Sequence, residues 1–349
     1  MVMHPLRYES HTAHLPTGHY YRYVDIRPPQ GTKTIATALV LHGFPDSAYT
    51  WRHQVKGWSN RGIRLIIPDA LGYYGSSQPL DPEEYSFKKQ CDNYQALIKH
   101  IGLPEDEKVV LISHDWGAVT AMRLSQFKPD LVKGVASLCV PFTLAIPPTE
   151  YVSTEQFVKA LPSFGYQLFF ASPKSGPLID ANIERFMAIL YTTAEQRESG
   201  ERPSLESVGE MEAWLESGSK APNPGLLNKE AGLLTTPTRL QLAHKAFTGS
   251  YDHLSAMLNH YRTRKINYGL DKHLPKEYRP EMPKLLIVPT KDQALPARMS
   301  ANAETEFKNI EVARLDGLCG HWVQLEMPEK VEQVVGDWVE RMAKQRWVM

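Results

Sequence analysis

A chain of 349 residues exceeds the roughly 250–300 at which a single hydrophobic core stops growing, so two domains or one large domain with an insertion are expected. Hydrophobic residues make up 42% of it and aromatics 10%, which suits a packed core and excludes a disordered chain. Lys plus Arg and Asp plus Glu balance at 39 each, so no basic surface marks a binder of nucleic acid or anionic lipid.

The N-terminal "MVMHPLRYESHTAHLP" lacks the apolar core of a secretory leader, and the terminal "RWVM" carries no peroxisomal address. The uncharged run 134–149 is broken by Pro141, Pro147 and Pro148 and is too short to cross a bilayer. Cys91, Cys139 and Cys319, an odd number at no metal-ligand spacing, suit a reducing compartment. A cytoplasmic protein without a membrane anchor is therefore expected.

Along the chain, residues 36–45, 62–70, 108–115 and 132–141 form continuous apolar runs, as strands buried on both faces do. Between them, 48–61, 86–101 and 118–127 have helical spacing, and the resulting βαβ rhythm predicts a doubly wound, mostly parallel sheet. The rhythm is lost after Pro141. Helical stretches at 155–170, 179–191, 238–249 and 251–268 are then separated by segments rich in Pro and Gly. The polar stretch 199–225, with a short helix near 211–215, reads as a solvated excursion or, alternatively, a mobile cap loop gating entry. Strands resume at 283–292 and 310–317, and an amphipathic helix opening with Pro covers 328–344. This pattern divides the chain into a core at 1–141 and 282–349 and an inserted helical cap at 142–281.

Within "VVLISHDWGAVTAM", the small residues Ser113 and Gly117 flank Asp115 at a strand-to-helix turn. Such a turn can hold a nucleophile clear at its apex; the plainer alternative is that Asp115 caps the helix. "LHGFPDS" follows the first long strand, where it can aim backbone N–H groups at the space above that turn or simply end the strand. Its Phe44–Pro45 bond is a candidate cis peptide. "VPTKDQALP" places Asp292 directly after a buried strand, and "GLCGHWVQLEMP" places His321 in the loop before the last helix. Strand C-termini are where open α/β sheets carry chemistry. The order nucleophile, acid, base is that of hydrolase triads.

An aspartate in place of serine narrows the chemistry. Serine attacking a saturated carbon would leave an ether that activated water cannot open. A carboxylate leaves an alkyl ester, which still offers water a carbonyl. The bond attacked is therefore at sp³ carbon, in an epoxide or a carbon–halogen compound.

The strings "HGFPDSAYTWRHQV", "SHDWGA" and "CGHW" strongly resemble the soluble epoxide hydrolase family of the α/β-hydrolase fold, and the likeness runs along essentially the whole chain. It implies a sheet of about eight strands under a helical cap. "PSFGYQLFFASPKSG" resembles the first cap-tyrosine motif and "MLNHYRTRKINY" the second, placing Tyr166 and Tyr261 as donors to the epoxide oxygen. The resemblance further implies Asp115 as nucleophile, His321 as general base oriented by Asp292, and backbone N–H groups of Phe44 and Trp116 as oxyanion hole. A pocket lined by Phe44, Trp116, Phe142 and Trp322 would take a hydrophobic epoxide and water, with no cofactor and no metal. "CVPF" offers no acid at the family's alternative position, which leaves Asp292. In "PDALGYYGSSQP" Tyr74 stands where the family usually has Gly, so the loop is expected to take another path.

Haloalkane dehalogenases resemble the same core and also follow the nucleophile with Trp, but they commonly place a polar residue where Phe44 stands. Fluoroacetate dehalogenases usually follow it with Arg. A halide needs no proton, so the tyrosine pair favours an epoxide. A non-catalytic small-molecule receptor would not need all of Asp115, Asp292 and His321. A serine esterase would put Ser113 at the apex, not beside it.

Overall fold

The computed structural model describes residues 3–200, 206–220 and 254–344. Eight strands form one sheet: β1 (His11–His14), β2 (Tyr20–Ile26), β3 (Ala36–Leu41), β4 (Ile63–Pro68), β5 (Val109–His114), β6 (Val132–Leu138), β7 (Lys284–Pro289) and β8 (Ile310–Leu315). Their order across the sheet is β1-β2-β4-β3-β5-β6-β7-β8. The first two pairings are antiparallel and the rest parallel. The expected strands from β3 onward form, and all but the edge strand β8 are buried almost throughout because helices cover both faces. Strands β1 and β2 lie in a polar, tyrosine-rich stretch whose pattern did not single them out.

The chain leaves β3 toward β4 on one side and later enters β5 on the other, so the strand order reverses between β3 and β5. Leu41 pairs with Ser113 there, which sets the residues after each strand side by side. Such a reversal opens a crevice at the strand C-termini.

The helical expectations hold with breaks at identifiable residues. Residues 48–61 divide into a 3₁₀ turn (Ala48–Trp51) and a helix (Val55–Asn60). Residues 155–170 break where Leu161, at φ −130° and ψ 79°, leaves the helical region before Pro162, giving helices Thr154–Ala160 and Tyr166–Ala171. Helices Ser175–Ala181 and Ile183–Leu190 meet at Asn182. Leu254–Leu258, a 3₁₀ turn at Asn259–Arg262 and Arg264–Asp271 account for most of 251–268. The expected helix at 238–249, residues 251–253 and the final "RWVM" lie outside the described residues, whereas the expected helix at 328–344 is Pro328–Lys344.

In the described part of 199–225 the expected short helix forms as Glu210–Glu216, burying Met211 and Leu215 among otherwise exposed or half-buried residues, and the Glu206 carbonyl accepts a hydrogen bond from the Tyr166 N–H at 3.0 Å. The expectation at Tyr74 is corrected: the loop does not avoid the glycine-type conformation. Tyr74 itself adopts φ 40° and buries its ring, so apolar burial and a bond to Ser47 hold a residue where Gly would be unstrained.

Two apolar clusters result. One fills the sheet and its flanking helices. The other joins Phe44 and Trp322 from the sheet side to Phe170, Phe186, Met257 and Tyr261 from the helical segment between β6 and β7. No helix among the described residues is long and apolar enough to cross a membrane. All three cysteines are buried and unpaired.

Candidate active site

Asp115 sits between the end of β5 and helix Trp116–Phe127 with φ 51° and ψ −128°, outside the regions ordinary side chains prefer. The turn is tight enough to require glycine on either side of the crevice. A Cβ on Gly117 would stand 2.4 Å from the His42 carbonyl oxygen, and one on Gly43 would stand 2.3 Å from Asp115 Oδ1. The Asp115 side chain does not cap its helix. Instead Oδ1 accepts the Phe44 N–H at 2.7 Å, and the Trp116 N–H supplies a second bond. The Phe44–Pro45 peptide is cis. Ser113 is turned away, its hydroxyl donating to the Ala136 carbonyl at 3.0 Å inside the sheet.

His321 and Asp292 arrive on the loops after β8 and β7. The His321 Nδ1–H donates to Asp292 Oδ2 at 2.8 Å, while Nε2 faces Asp115 Oδ2 at 3.7 Å. The other Asp292 oxygen accepts the N–H groups of Ala294 (2.9 Å) and Leu295 (3.0 Å), so the same carboxylate closes a turn and fixes the imidazole. The electrostatics follow from this packing. Burial raises Asp115 above the usual carboxylate range, and the His321 charge with the two N–H donors offsets only part of that. Burial works against protonated His321, but the charge and hydrogen bond of Asp292, joined by the charge of Asp115, outweigh it and raise its pKa. Burial also opposes ionised Asp292, yet His321 and the turn N–H groups hold it below the usual range.

The helical segment brings two phenols to the same place. Tyr166 opens helix Tyr166–Ala171, and Tyr261 lies in the 3₁₀ turn, with their ring centroids 6.3 Å apart. Tyr261 stands edge-on to Trp116 at 5.1 Å and to Phe44 at 5.3 Å. Burial raises the pKa of both; the charge of Asp115 comes next for Tyr166, and the neighbouring Tyr166 and then Asp115 for Tyr261, so each keeps its proton. Two cavities, of about 190 Å³ and about 80 Å³, share Asp115, Tyr166 and Tyr261 in their walls. The smaller also touches Phe44, His321 and Trp322, the larger Trp116.

Phe142 is a correction. It borders neither cavity; its ring is packed into the sheet core 5.4 Å from Tyr278 and 5.9 Å from Phe307. Val140 and Leu144, on either side of it along the chain, take the cavity wall instead.

His114 and Cys139 escaped the sequence reading. The His114 Nε2–H donates to the His321 carbonyl at 2.9 Å, and the Cys139 thiol donates to the same oxygen at 3.1 Å. Burial pushes His114 down to about 3, so it stays neutral and can serve this way. Adjacency to Asp115 was visible in sequence, but nothing local says which carbonyl a buried imidazole meets. These two and His321 are the His/Cys group, among the described residues, whose ligand atoms gather within 4.8 Å; here His114 and Cys139 are engaged in holding the His321 carbonyl.

Comparison with known proteins comes to the same architecture. An epoxide hydrolase of Neurospora crassa, srdG, is 27% identical over 355 residues, covering 98% of both chains. The bifunctional epoxide hydrolase 2 of Mus musculus is 30% identical over 313 residues, 87% of this chain, which spans about half (51%) of that longer protein. The crystal structure of epoxide hydrolase A from Mycobacterium thermoresistibile superposes with a TM-score of 0.72 at 25% identity, covering 95% of this chain and 98% of that one. The profile of the alpha/beta hydrolase fold matches residues 39–328, from β3 through the loop that carries His321. With the eight-stranded sheet, the elbow and that match together, this chain belongs to the α/β-hydrolase fold family.

Proposed function

We propose that the protein is an epoxide hydrolase, converting a hydrophobic epoxide and water to a vicinal diol. The observation that carries this reading is the meeting of one carboxylate and two protonated phenols, Asp115, Tyr166 and Tyr261, in the shared wall of two cavities. Similarity to proteins named as epoxide hydrolases supports it.

Asp115 attacks a ring carbon from behind, forming a carbon–oxygen bond as the ring carbon–oxygen bond breaks. Tyr166 and Tyr261 hydrogen-bond the departing oxygen, and one of them supplies the proton. His321, steered by Asp292, then takes a proton from water, which attacks the carboxyl carbon of the Asp115 ester. The Phe44 and Trp116 N–H groups, already on the carboxylate, are positioned for the tetrahedral oxyanion. Its collapse releases the diol, the departing alkoxide taking the proton held by His321, and the proton of the re-formed carboxyl returns to the tyrosinate, which restores Asp115, His321 and both phenols. No step requires a metal or organic cofactor.

In this reading residues 142–281 act as a cap that carries the phenols and residues 1–141 with 282–349 as the core that carries the triad. The apolar cluster spanning the two supports that division. A halide leaving group would need no proton, which makes the phenol pair the feature that separates this reading from a dehalogenase.

A single turnover with enzyme in excess, run in heavy-oxygen water, tests the covalent route. The first diol should carry unlabelled oxygen from Asp115, and the label should appear in the protein. Label in that first diol would overturn the mechanism, and halide release without diol formation on a matched substrate panel would overturn the function.

A further inference from the structure

The stretch from Leu190 to Glu198, which joins helix Ile183–Leu190 to helix Ala194–Glu198, meets the sheet side at the residues that flank the triad. The Trp322 Nε1–H donates to the Leu190 carbonyl at 2.7 Å, and Tyr191 stacks on the Trp322 ring with centroids 4.4 Å apart. The Ala194 N–H donates to Glu326 Oε2 at 3.0 Å, and Glu198 pairs with the exposed Lys291 at 2.6 Å. Lys291 precedes Asp292 in the chain, and Trp322 follows His321. One short piece of the helical segment therefore grips both loops that carry the acid and the base.

Arg197 brings a charge into this contact. Its Nε–H donates to Thr192 Oγ1 at 3.3 Å and its Nη2–H to the Thr192 carbonyl at 2.9 Å, so its own turn holds the guanidinium. Nη1 lies over Gly320, the residue before His321, where a Cβ would stand only 2.7 Å from it. Arg197 also shares the wall of the smaller cavity with Asp115, Asp292 and His321.

The groups around His321 come from every side. Asp292 arrives after β7 and Asp115 at the elbow; Glu206 borders the same cavity, and Glu326 closes on Gly320 from the following helix. His114 at the end of β5 and Cys139 just past β6 are neutral, since burial holds the imidazole down and the thiol up. Arg197 is the positive charge in this set; it opposes protonated His321 and favours ionised Asp292. In the resting protein the negative charge of Asp115 works against it. Once Asp115 is esterified that charge is gone and the Arg197 charge remains. Its weight then falls on the step in which His321 must take a proton from water.

We propose that Arg197 is a positioning residue for ester hydrolysis: from the helical segment it braces the turn before His321 and sets a fixed positive charge against the base. The assignment rests on the epoxide-hydrolase reading and deepens its second half-reaction. It gives the helical segment a part in the step that Tyr166 and Tyr261 do not serve.

The test follows Arg197→Gln through both half-reactions across pH, by rapid quenching and intact-protein mass spectrometry with an epoxide that wild type opens. The pH below which ester hydrolysis is lost should move up by roughly half a unit or more, because the base holds its proton more tightly. Alkylation at neutral pH needs no base and should be little changed, which also reports that the variant is folded. The His321 imidazole of the resting protein, followed by NMR, should likewise titrate at higher pH. Arg197→Lys should return both midpoints most of the way to wild type. A hydrolysis rate that falls equally at every pH, or either midpoint unmoved or lowered, would overturn the assignment while leaving epoxide hydrolysis intact. Wild-type protein that forms neither ester adduct nor diol from any epoxide would overturn the epoxide-hydrolase reading and the assignment with it, whereas the NMR midpoint tests the charge by itself.

Discussion

At Asp115 a strained backbone and a buried charge serve the same purpose. A non-glycine residue at φ 51° costs on the order of 1–3 kcal/mol, sustained here by the register of β3 and β5 and by the glycines that admit the close approach. In the proposed mechanism burial makes the carboxylate a poorly solvated nucleophile, and His321 beside it is raised in part by that same negative charge. Esterification removes the charge, so the pKa of His321 must fall just when a neutral base is needed. Asp115→Asn imitates this. The His321 imidazole should titrate at lower pH in that variant than in wild type when followed by NMR, and an unchanged or higher value would contradict the coupling. The same signs govern rate. Alkylation requires ionised Asp115, whose pKa is raised, so it should be lost on acidification at higher pH than an ordinary aspartate would dictate. Ester hydrolysis requires neutral His321 and should also be lost as pH falls, through the lowered pKa of the ester state.

The loop after β3 is aimed by a chain of buried contacts that begins two strands away. Arg22 on β2 holds Asp69, just past β4, at 2.5 Å, and Asp69 also accepts the Ala48 N–H at 3.1 Å. The next residue, Ala70, donates its N–H to His42 Nε2 at 2.9 Å, and His42 Nδ1–H donates to the Gly43 carbonyl at 3.0 Å. Arg22→Met would leave the Asp69 charge buried without its main partner and should cost about 3–5 kcal/mol, measured by denaturant unfolding at neutral pH. In wild type, burial opposes the ionised form, but Arg22 and His4 hold Asp69 well below its ordinary pKa, so the ionised form contributes stability that fades as pH falls through that depressed value. In the variant burial dominates and the sign reverses. The gap between the two proteins should therefore narrow on acidification; a gap independent of pH would mean that packing, not charge, sets the loss. Element by element, the parallel strands were legible because a strand covered on both faces must be apolar throughout, and the elbow was legible because its small residues are steric requirements. Strands β1 and β2 were not, since their tyrosines and charges make no simple period. Phe142 was misplaced for a related reason: an apolar side chain in a crossover segment has two apolar destinations, and only packing against Tyr278 and Phe307 decides between them. The helix near 211–215 was legible even inside its polar stretch, because Met211 and Leu215 lie four apart and share one face.

In the proposed mechanism the two half-reactions divide, across the whole molecule, between the strand ends and the helical segment. The strand ends would supply Asp115, His321, Asp292 and the N–H donors to act on the ester, and the helical segment would supply Tyr166 and Tyr261 to act only while the ring opens. Tyr166 depends in turn on residue Glu206, outside its own helix, so the phenols are placed by long-range packing and not by local sequence. The division has a kinetic signature. Replacing both tyrosines by Phe should slow alkylation by roughly 10²–10⁴, the usual worth of a positioned proton donor, and leave hydrolysis of the ester unchanged. His321→Gln should do the reverse, alkylating at close to the wild-type rate and then accumulating protein heavier by one substrate mass. Rapid quenching with intact-protein mass spectrometry reads both steps in one experiment. If the tyrosine pair slowed ester hydrolysis as much as alkylation, the phenols would be shaping the whole pocket instead of protonating the leaving oxygen, and a halide would become as reasonable a leaving group as an alkoxide.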